Sequence, residues 1–326
     1  MQEKIEVLQQ MTGEKLRVNE PLLGFTTLKI GGTADIFYDA KTVEKLVDVV
    51  KAARFLEIPV TIIGGGSNIL IADGGIRGLV IKNNTGAITI AGMKGKVEAG
   101  AAKGRVFVEA DTGVVFNKLV RFTLEEGLGG LEAHLGLPGT VGGAIYMNSK
   151  WTSPMSYVGD AVYQAMILTP QGVVKTVDRS YFRFAYDTSI IQKTRDIVLR
   201  VVFALAQSGK EELWAIANQS ILHRRGSQPQ GVRSAGCTFR NLSQAQAITA
   251  ATPNYTVSAG FLIDRAGLKG KTIGDAQISP VHANFIVNNG HAKAADVVEL
   301  IEIARSTVKE QFGVELEEEI VRMGEF

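Results

Sequence analysis

Apolar positions change period several times along this chain, and each change marks an element. The stretch to about Asn19 is amphipathic and predicts a helix packed on the body. Ala34 to Tyr38 predicts an extended segment, after which Val43, Leu46, Val47 and Val50 recur at helical spacing. Pro59-Val60-Thr61-Ile62-Ile63 is β-rich and runs into a triple glycine, and Leu79-Val80-Ile81 gives the next strand after a turn at Asp73-Gly74-Gly75. Ala87 to Phe203 predicts short strands and turns, with one helix from about Phe116 to Glu126. Ser208-Gly209-Lys210 reads as a linker. Beyond it, Leu213, Ile216, Ala217 and Ile221 predict a helix ending at His223-Arg224-Arg225-Gly226, with cations in its last turn and glycine after them. A final helix carries Val297, Leu300, Ile301, Ala304 and Val308 on one face, and Val314 to Ile320 predicts a closing strand. Alternation in that strand sets Glu315, Glu317 and Glu319 opposite Val314, Leu316 and Ile320.

Two glycine-rich segments interrupt the apolar runs: Ile63-Gly64-Gly65-Gly66-Ser67-Asn68 and Pro138-Gly139-Thr140-Val141-Gly142-Gly143-Ala144. Glycine lets a backbone approach a ligand closely and turns successive N–H groups toward an anion. Two such elements suit a long diphosphate cofactor, a flavin or a dinucleotide, better than a single phosphate. The Gly-x-Gly-x-x-Gly fingerprint opening a long helix is absent. After Gly66 the chain reads Ser67-Asn68-Ile69-Leu70-Ile71, a β-prone run that argues against a Rossmann domain.

Composition narrows the class. The chain has 326 residues, 45% hydrophobic and 21% charged, enough for roughly two domains with ample core. A net charge of +2 gives no reason to expect nucleic acid or an anionic membrane, so an anionic ligand must be met by local cations. No apolar stretch reaches membrane-span length, and Met1-Gln2-Glu3-Lys4 opens no signal peptide. Cys237 is the single cysteine and the four histidines are scattered, which excludes a disulfide framework and any zinc-ligand spacing. The expectation is a cytoplasmic, monomeric enzyme without a metal.

Taken in order, several segments resemble the UDP-N-acetylenolpyruvoylglucosamine reductases (MurB), in the form lacking an extra substrate-domain insertion. They are Thr26 to Gly32, Gly64 to Leu70, Leu137 to Asn148, Arg224 to Asn241, Ala259 to Ile263, His282 to Phe285 and Leu316 to Glu319. The resemblance implies an α+β protein: an FAD-binding domain of the vanillyl-alcohol-oxidase-like (PCMH) type, then a smaller α+β substrate-binding domain. The boundaries it suggests are an N-terminal helical extension at 1–22, the FAD domain at 23–207 and the substrate domain at 208–326. It implies bound FAD, NADPH as co-substrate and a nucleotide-sugar substrate, whose enolpyruvyl double bond is reduced during peptidoglycan precursor synthesis.

The same resemblance assigns candidate residues. Gly64, Gly65, Gly66, Ser67, Asn68, Pro138, Gly139, Thr140, Gly142 and Gly143 would hold the cofactor, and Arg224, Asn241 and His282 would hold the substrate. Cys237 stands where the family carries its proton donor, usually serine, and Glu319 matches the catalytic glutamate. Chemistry asks for such groups, because hydride arriving at the terminal carbon leaves an enolate-like dianion needing donors or cations and an acid. A thiol, with a pKa of about 8.5, is a competent acid. The family has an arginine where this chain has Asp187. Arg183 or Arg195 could replace that cation, Asp187 could organise a bound cation, or activity could be low; a relocated cation is favoured, and Asp187→Arg is expected to preserve or raise turnover. Trp151 replaces smaller family residues and is expected to narrow a ligand entrance. The rival readings are another oxidoreductase on the same flavin fold, acting on a hydroxy acid or alcohol, and a non-catalytic flavin or nucleotide-sugar binding protein.

Overall fold

The computed structural model describes residues 2–98, 101–153 and 155–326. It divides into two packing units that interleave along the chain. The first comprises Met1–Arg17, Phe37–Gly65 and Leu79–Arg224, the second Val18–Ile36, Gly66–Gly78 and Arg225–Phe326.

In the first unit, helix Gln2–Thr12 packs through Ile5 and Leu8, and Lys4 reaches the Leu56 carbonyl oxygen at 2.7 Å. Helix Val43–Phe55 starts where Thr42 accepts from the Lys45 amide. Val60–Ile63 pairs in parallel with the strand Ile76–Asn83, setting Ile63 opposite Lys82. The body of the unit is an antiparallel sheet in the order Val174–Asp178, Val162–Leu168, Ile197–Gln207, Ala101–Asp111 and Ile88–Glu98, with Leu128–Gly129 pairing beside Ile197–Gln207. Three of these strands have 11 residues, longer than the short strands the sequence suggests. Phe116, Leu119, Val120, Thr123 and Leu124 form the buried stripe of helix Phe116–Glu125 against that core. Leu213 and Ala217 of helix Lys210–Ser227 join the same core. This helix therefore packs with the first unit up to Arg224, although sequence places its start beyond a linker.

The second unit has an antiparallel sheet in the order Ser234–Cys237, Phe285–Asn288, Ala276–Ile278 and Thr272–Ile273. Leu262 and Ile263 of helix Ala259–Arg265 and Val297, Leu300, Ile301 and Ala304 of helix Ala294–Phe312 supply its core, together with Leu28, Ile30 and Leu70. Asp73 fixes the start of the long helix, its carboxylate accepting from the Ala294 and Ala295 amides at 2.8 and 3.1 Å.

One element is corrected. Val314 to Ile320 is not a strand; the closing strand is Val321–Met323, paired in parallel with Ile69–Ile71. Alternating burial holds from Val314 to Glu317 and stops there, since Glu318 and Glu319 are both half-buried. Glu318 is drawn to Arg305 and Arg322 at 2.6 and 2.8 Å, and the backbone makes only an isolated bridge to Phe239.

Candidate active site

In the first unit the two glycine segments meet backbone to backbone. A Cβ on Gly65 would lie 2.6 Å from Gly139 Cα, and one on Gly64 would lie 2.4 Å from Thr140 Oγ1. Gly139 holds φ at 106°, a conformation that favours glycine. Close approach is thus the steric reason for glycine at these positions. Not every amide here faces outward: Val141 and Gly142 donate to the Val114 and Thr112 carbonyls at 2.9 Å, and Gly143 donates to Thr140 Oγ1 at 3.4 Å. Pro138 is exposed at the rim of this turn. Lys82 donates to the Gly64 carbonyl oxygen and is pushed below the usual lysine range by burial. This cation was missed in the sequence, where only its place in the strand beside Ile63 could have drawn attention.

Arg224 also belongs to this unit. Its guanidinium lies 4.6 Å from the centroid of the Trp151 ring, itself edge-on to His223 at 5.3 Å. Trp151 is buried, donates through Nε1 to the Ser153 carbonyl, and helps line a cavity of about 350 Å³ with Glu132, Ser156, Gln219 and His223. Close by in sequence, His134 is 1% exposed, and neither ring nitrogen has a hydrogen-bond partner among the described residues. Burial, reinforced by the charge of Arg224, brings its pKa down to about 4.

The second unit gathers Asn68, Cys237, Asn241, His282 and Glu319. Pairing of Ser234 with Val287 and of Cys237 with Phe285 is separated by a register shift, with Gly236 at φ 80°. A bulge of this kind re-aims the side chain that follows it. Thr27 ties the same strand down by donating to the Ser234 carbonyl at 2.6 Å. After Cys237, the Thr238 carbonyl accepts from the Glu319 amide and the Arg240 amide donates to the Glu317 carbonyl, both at 2.8 Å. Asn68 donates to the Glu319 carbonyl at 3.1 Å, while the Val321 amide donates back to the Asn68 carbonyl at 2.9 Å. Gly66 and Ser67 join the unit too; the Thr27 amide donates to Gly66 O at 3.0 Å, and a Cβ on Gly236 would lie 3.9 Å from Ser67 O. Asn241 is exposed, with its Oδ1 accepting from the Ala259 amide at 3.2 Å. His282 is half-buried, and burial lowers its pKa, so the neutral ring is favoured. Its Nδ1 accepts from the Asn284 amide at 3.2 Å, which assigns the ring proton to Nε2.

Comparison with known proteins matches two stretches of the chain to two families. Residues 34–178 match the FAD binding domain family, and residues 228–323 match the UDP-N-acetylenolpyruvoylglucosamine reductase C-terminal domain. The reductase of Halalkalibacterium halodurans is 36% identical over 325 residues, all of this chain and all of that one. The chain belongs to the UDP-N-acetylenolpyruvoylglucosamine reductase family. The crystal structure of the reductase (MurB) from Thermus caldophilus superposes with a TM-score of 0.73 at 32% identity, covering 95% of this chain and 98% of the other. A VAO-type flavoprotein from Myceliophthora thermophila, 9% identical and covering 95% of this chain and 85% of its own, shares the fold with a TM-score of 0.55. The FAD-binding architecture expected from sequence is therefore borne out.

Asp187, where the resemblance implied an arginine, has a physical partner in the fold. Asp187 sits at φ 52° in the turn between Ala185 and Thr188, and is 2% exposed. Lys150 Nζ donates to both of its carboxylate oxygens and lies 4.0 Å from the centroid of the Tyr186 ring. Asn148 holds the same turn, donating to the Ala185 carbonyl at 2.9 Å. Arg183 and Arg195, the cations weighed from sequence, are both exposed. The cation that meets Asp187 is the half-buried Lys150. Among the described residues, no cluster of His, Cys, Asp and Glu could hold a metal ion, and no helix is long and apolar enough to cross a membrane.

Proposed function

We propose that this chain reduces UDP-N-acetyl-3-O-(1-carboxyvinyl)glucosamine to UDP-N-acetylmuramate, a step of peptidoglycan precursor synthesis, acting as a cytoplasmic monomer with NADPH as the electron source. The observation that carries the reading in detail is the hydrogen bond from the Glu319 amide to the Thr238 carbonyl, which makes the Cys237 loop and the Glu319 segment one structural piece. A flavin enzyme acting on a hydroxy acid or alcohol would share the first unit but has no reason to carry the second.

FAD, when bound, would supply the hydride chemistry for the terminal carbon of the substrate's vinyl group. Gly64, Gly65 and Gly139, kept bare because a Cβ at Gly64 or Gly65 would strike Thr140 or Gly139, would hold its diphosphate, with the Lys82 cation beside Gly64. Negative charge then builds on the carbon next to the carboxylate and spreads into it. Glu319, when protonated, donates a hydrogen bond to that carboxylate. Cys237 gives its thiol proton to the carbon, forming the new C–H bond and leaving a thiolate that solvent reprotonates. His282 offers its Nε2–H and Asn241 its amide NH₂ to oxygens of the nucleotide-sugar, and Arg224 offers charge to its diphosphate.

An anaerobic titration tests the reading. NADPH should bleach the yellow protein, and the enolpyruvyl nucleotide-sugar should restore the colour with one UDP-N-acetylmuramate formed per flavin. Bleaching without recovery would make this a reductase of something else.

A further inference from the structure

We infer that Asn284 is a positioning residue, whose buried side-chain amide sets Cys237 and Glu319 in register while its backbone N–H orients His282 beside them. The inference rests on the reading of Cys237 and Glu319 given above.

Asn284 is 2% exposed. Its Oδ1 accepts from the Phe239 amide at 2.8 Å and its Nδ2 donates to the Phe239 carbonyl at 2.7 Å. Its own carbonyl accepts from the Thr238 amide at 2.7 Å. The ladder that pairs Cys237 with Phe285 has already ended at this point. The Asn284 side chain takes the place of a neighbouring strand residue and extends the pairing to Phe239. The stretch after Cys237 is thereby held on both sides, since Thr238 and Arg240 bond to the backbone of Glu319 and Glu317 at 2.8 Å. Displacement of Phe239 would pull on the thiol one way along the chain and on the Glu319 segment across it.

The third connection runs through the Asn284 backbone N–H, whose bond to His282 Nδ1 fixes the imidazole as an Nε2–H donor. Helix Ala259–Arg265 closes over this arrangement at Gly260, where a Cβ would lie 2.9 Å from His282 Cε1 and 3.4 Å from Asn284 Cβ. The residue type is dictated by the geometry. An amide presents a donor and an acceptor in one plane, matching the N–H and C=O of one residue. Leucine offers neither, and an ionised aspartate offers no donor. A protonated aspartate offers both.

Because Cys237 is the single cysteine, thiol chemistry reads its surroundings without ambiguity. The test uses flavin-loaded Asn284→Leu and Asn284→Asp, with three measurements on each: flavin reduction by NADPH, reoxidation by substrate, and the rate of Cys237 alkylation by iodoacetamide across pH. For Asn284→Leu we expect flavin reduction within about twofold of wild type and reoxidation slower by about 10²-fold, the scale of an ångström-sized misplacement. Its alkylation–pH curve should shift. Asn284→Asp should approach wild type as pH falls and the new carboxyl protonates, in both reoxidation and thiol reactivity. Two results overturn the inference: equal losses in both flavin steps with an unchanged alkylation curve, or an Asn284→Asp protein that matches wild type at every pH. Should Asn284→Leu fail to fold, the pH dependence of Asn284→Asp decides alone. If wild type itself is not reoxidised by the substrate, the proposed reaction has failed, while the alkylation curves still decide whether Asn284 positions the thiol.

Discussion

The glycine turns of the first unit and the Cys237 loop of the second are built on opposite principles. At Gly64, Gly65 and Gly139 the surface proposed to act is bare backbone, and its requirement is that nothing protrude where the two segments meet. At Cys237 and Glu319 the groups proposed to act are side chains, and the requirement is that distant parts of the chain hold them still. Asn68 reaches 251 positions along the sequence to the Glu319 carbonyl, and Asn284 reaches back 45 to Phe239. A backbone surface fails by a steric insertion nearby. A side-chain site fails by loss of one functional group, or of a support far away in sequence.

Perturbing each region should therefore break a different half of the reaction. The largest effect is expected from Cys237→Ala, which should slow substrate reduction by about 10²–10⁴-fold while NADPH still reduces the flavin at nearly the wild-type rate. Stopped-flow absorbance separates the two steps, and equal losses would erase the contrast between the regions. Next comes Lys150→Met, which leaves Asp187 as a buried, uncompensated charge and should cost about 3–5 kcal/mol in denaturant unfolding. Lys150→Met combined with Asp187→Asn should recover most of that loss. The same pair reverses the sequence-based expectation for Asp187→Arg. A second cation beside half-buried Lys150 should lower stability and turnover, and wild-type behaviour in Asp187→Arg would show that the pair does not matter.

Acid should expose a third difference. His134 stays neutral in the folded protein down to about pH 4, whereas the unfolded chain takes up its proton near pH 6.5. Between those values the unfolded state binds more protons, so stability falls as pH falls, by about 3 kcal/mol across the interval. Thermal unfolding of His134→Leu should lack that slope and should gain stability at neutral pH, since two buried nitrogens without partners among the described residues are removed. The smallest effect is expected from Gly65→Ala. The added methyl meets backbone at Gly139, costing about 1–3 kcal/mol and appearing as reduced FAD content after purification.

Legibility in the sequence divides along the same line. Glycine strings, the stripe on helix Phe116–Glu125 and the run Ile69-Leu70-Ile71 are constraints written within a few residues, and they are legible without a fold. Cys237 and Glu319 needed resemblance to a family before they stood out, since their chemistry is shared by many structural residues. Lys150, Lys82 and Asn284 could not be picked out because their partners lie 37, 18 and 45 positions away. The false strand at Val314 to Ile320 has a related cause. Alternating polarity there reflects burial on one side, while Arg305 and Arg322 capture Glu318 and break the ladder.

Interleaving has a consequence for synthesis. Leu28, Ile30 and Leu70 leave the ribosome early, yet the hydrophobic partners they bury against begin at Ala235. Until well over a hundred further codons are read, the nascent chain carries these apolar groups without their final cover. An abrupt halt in translation before the last helix would release a polypeptide with that surface exposed, a substrate for chaperones and proteases.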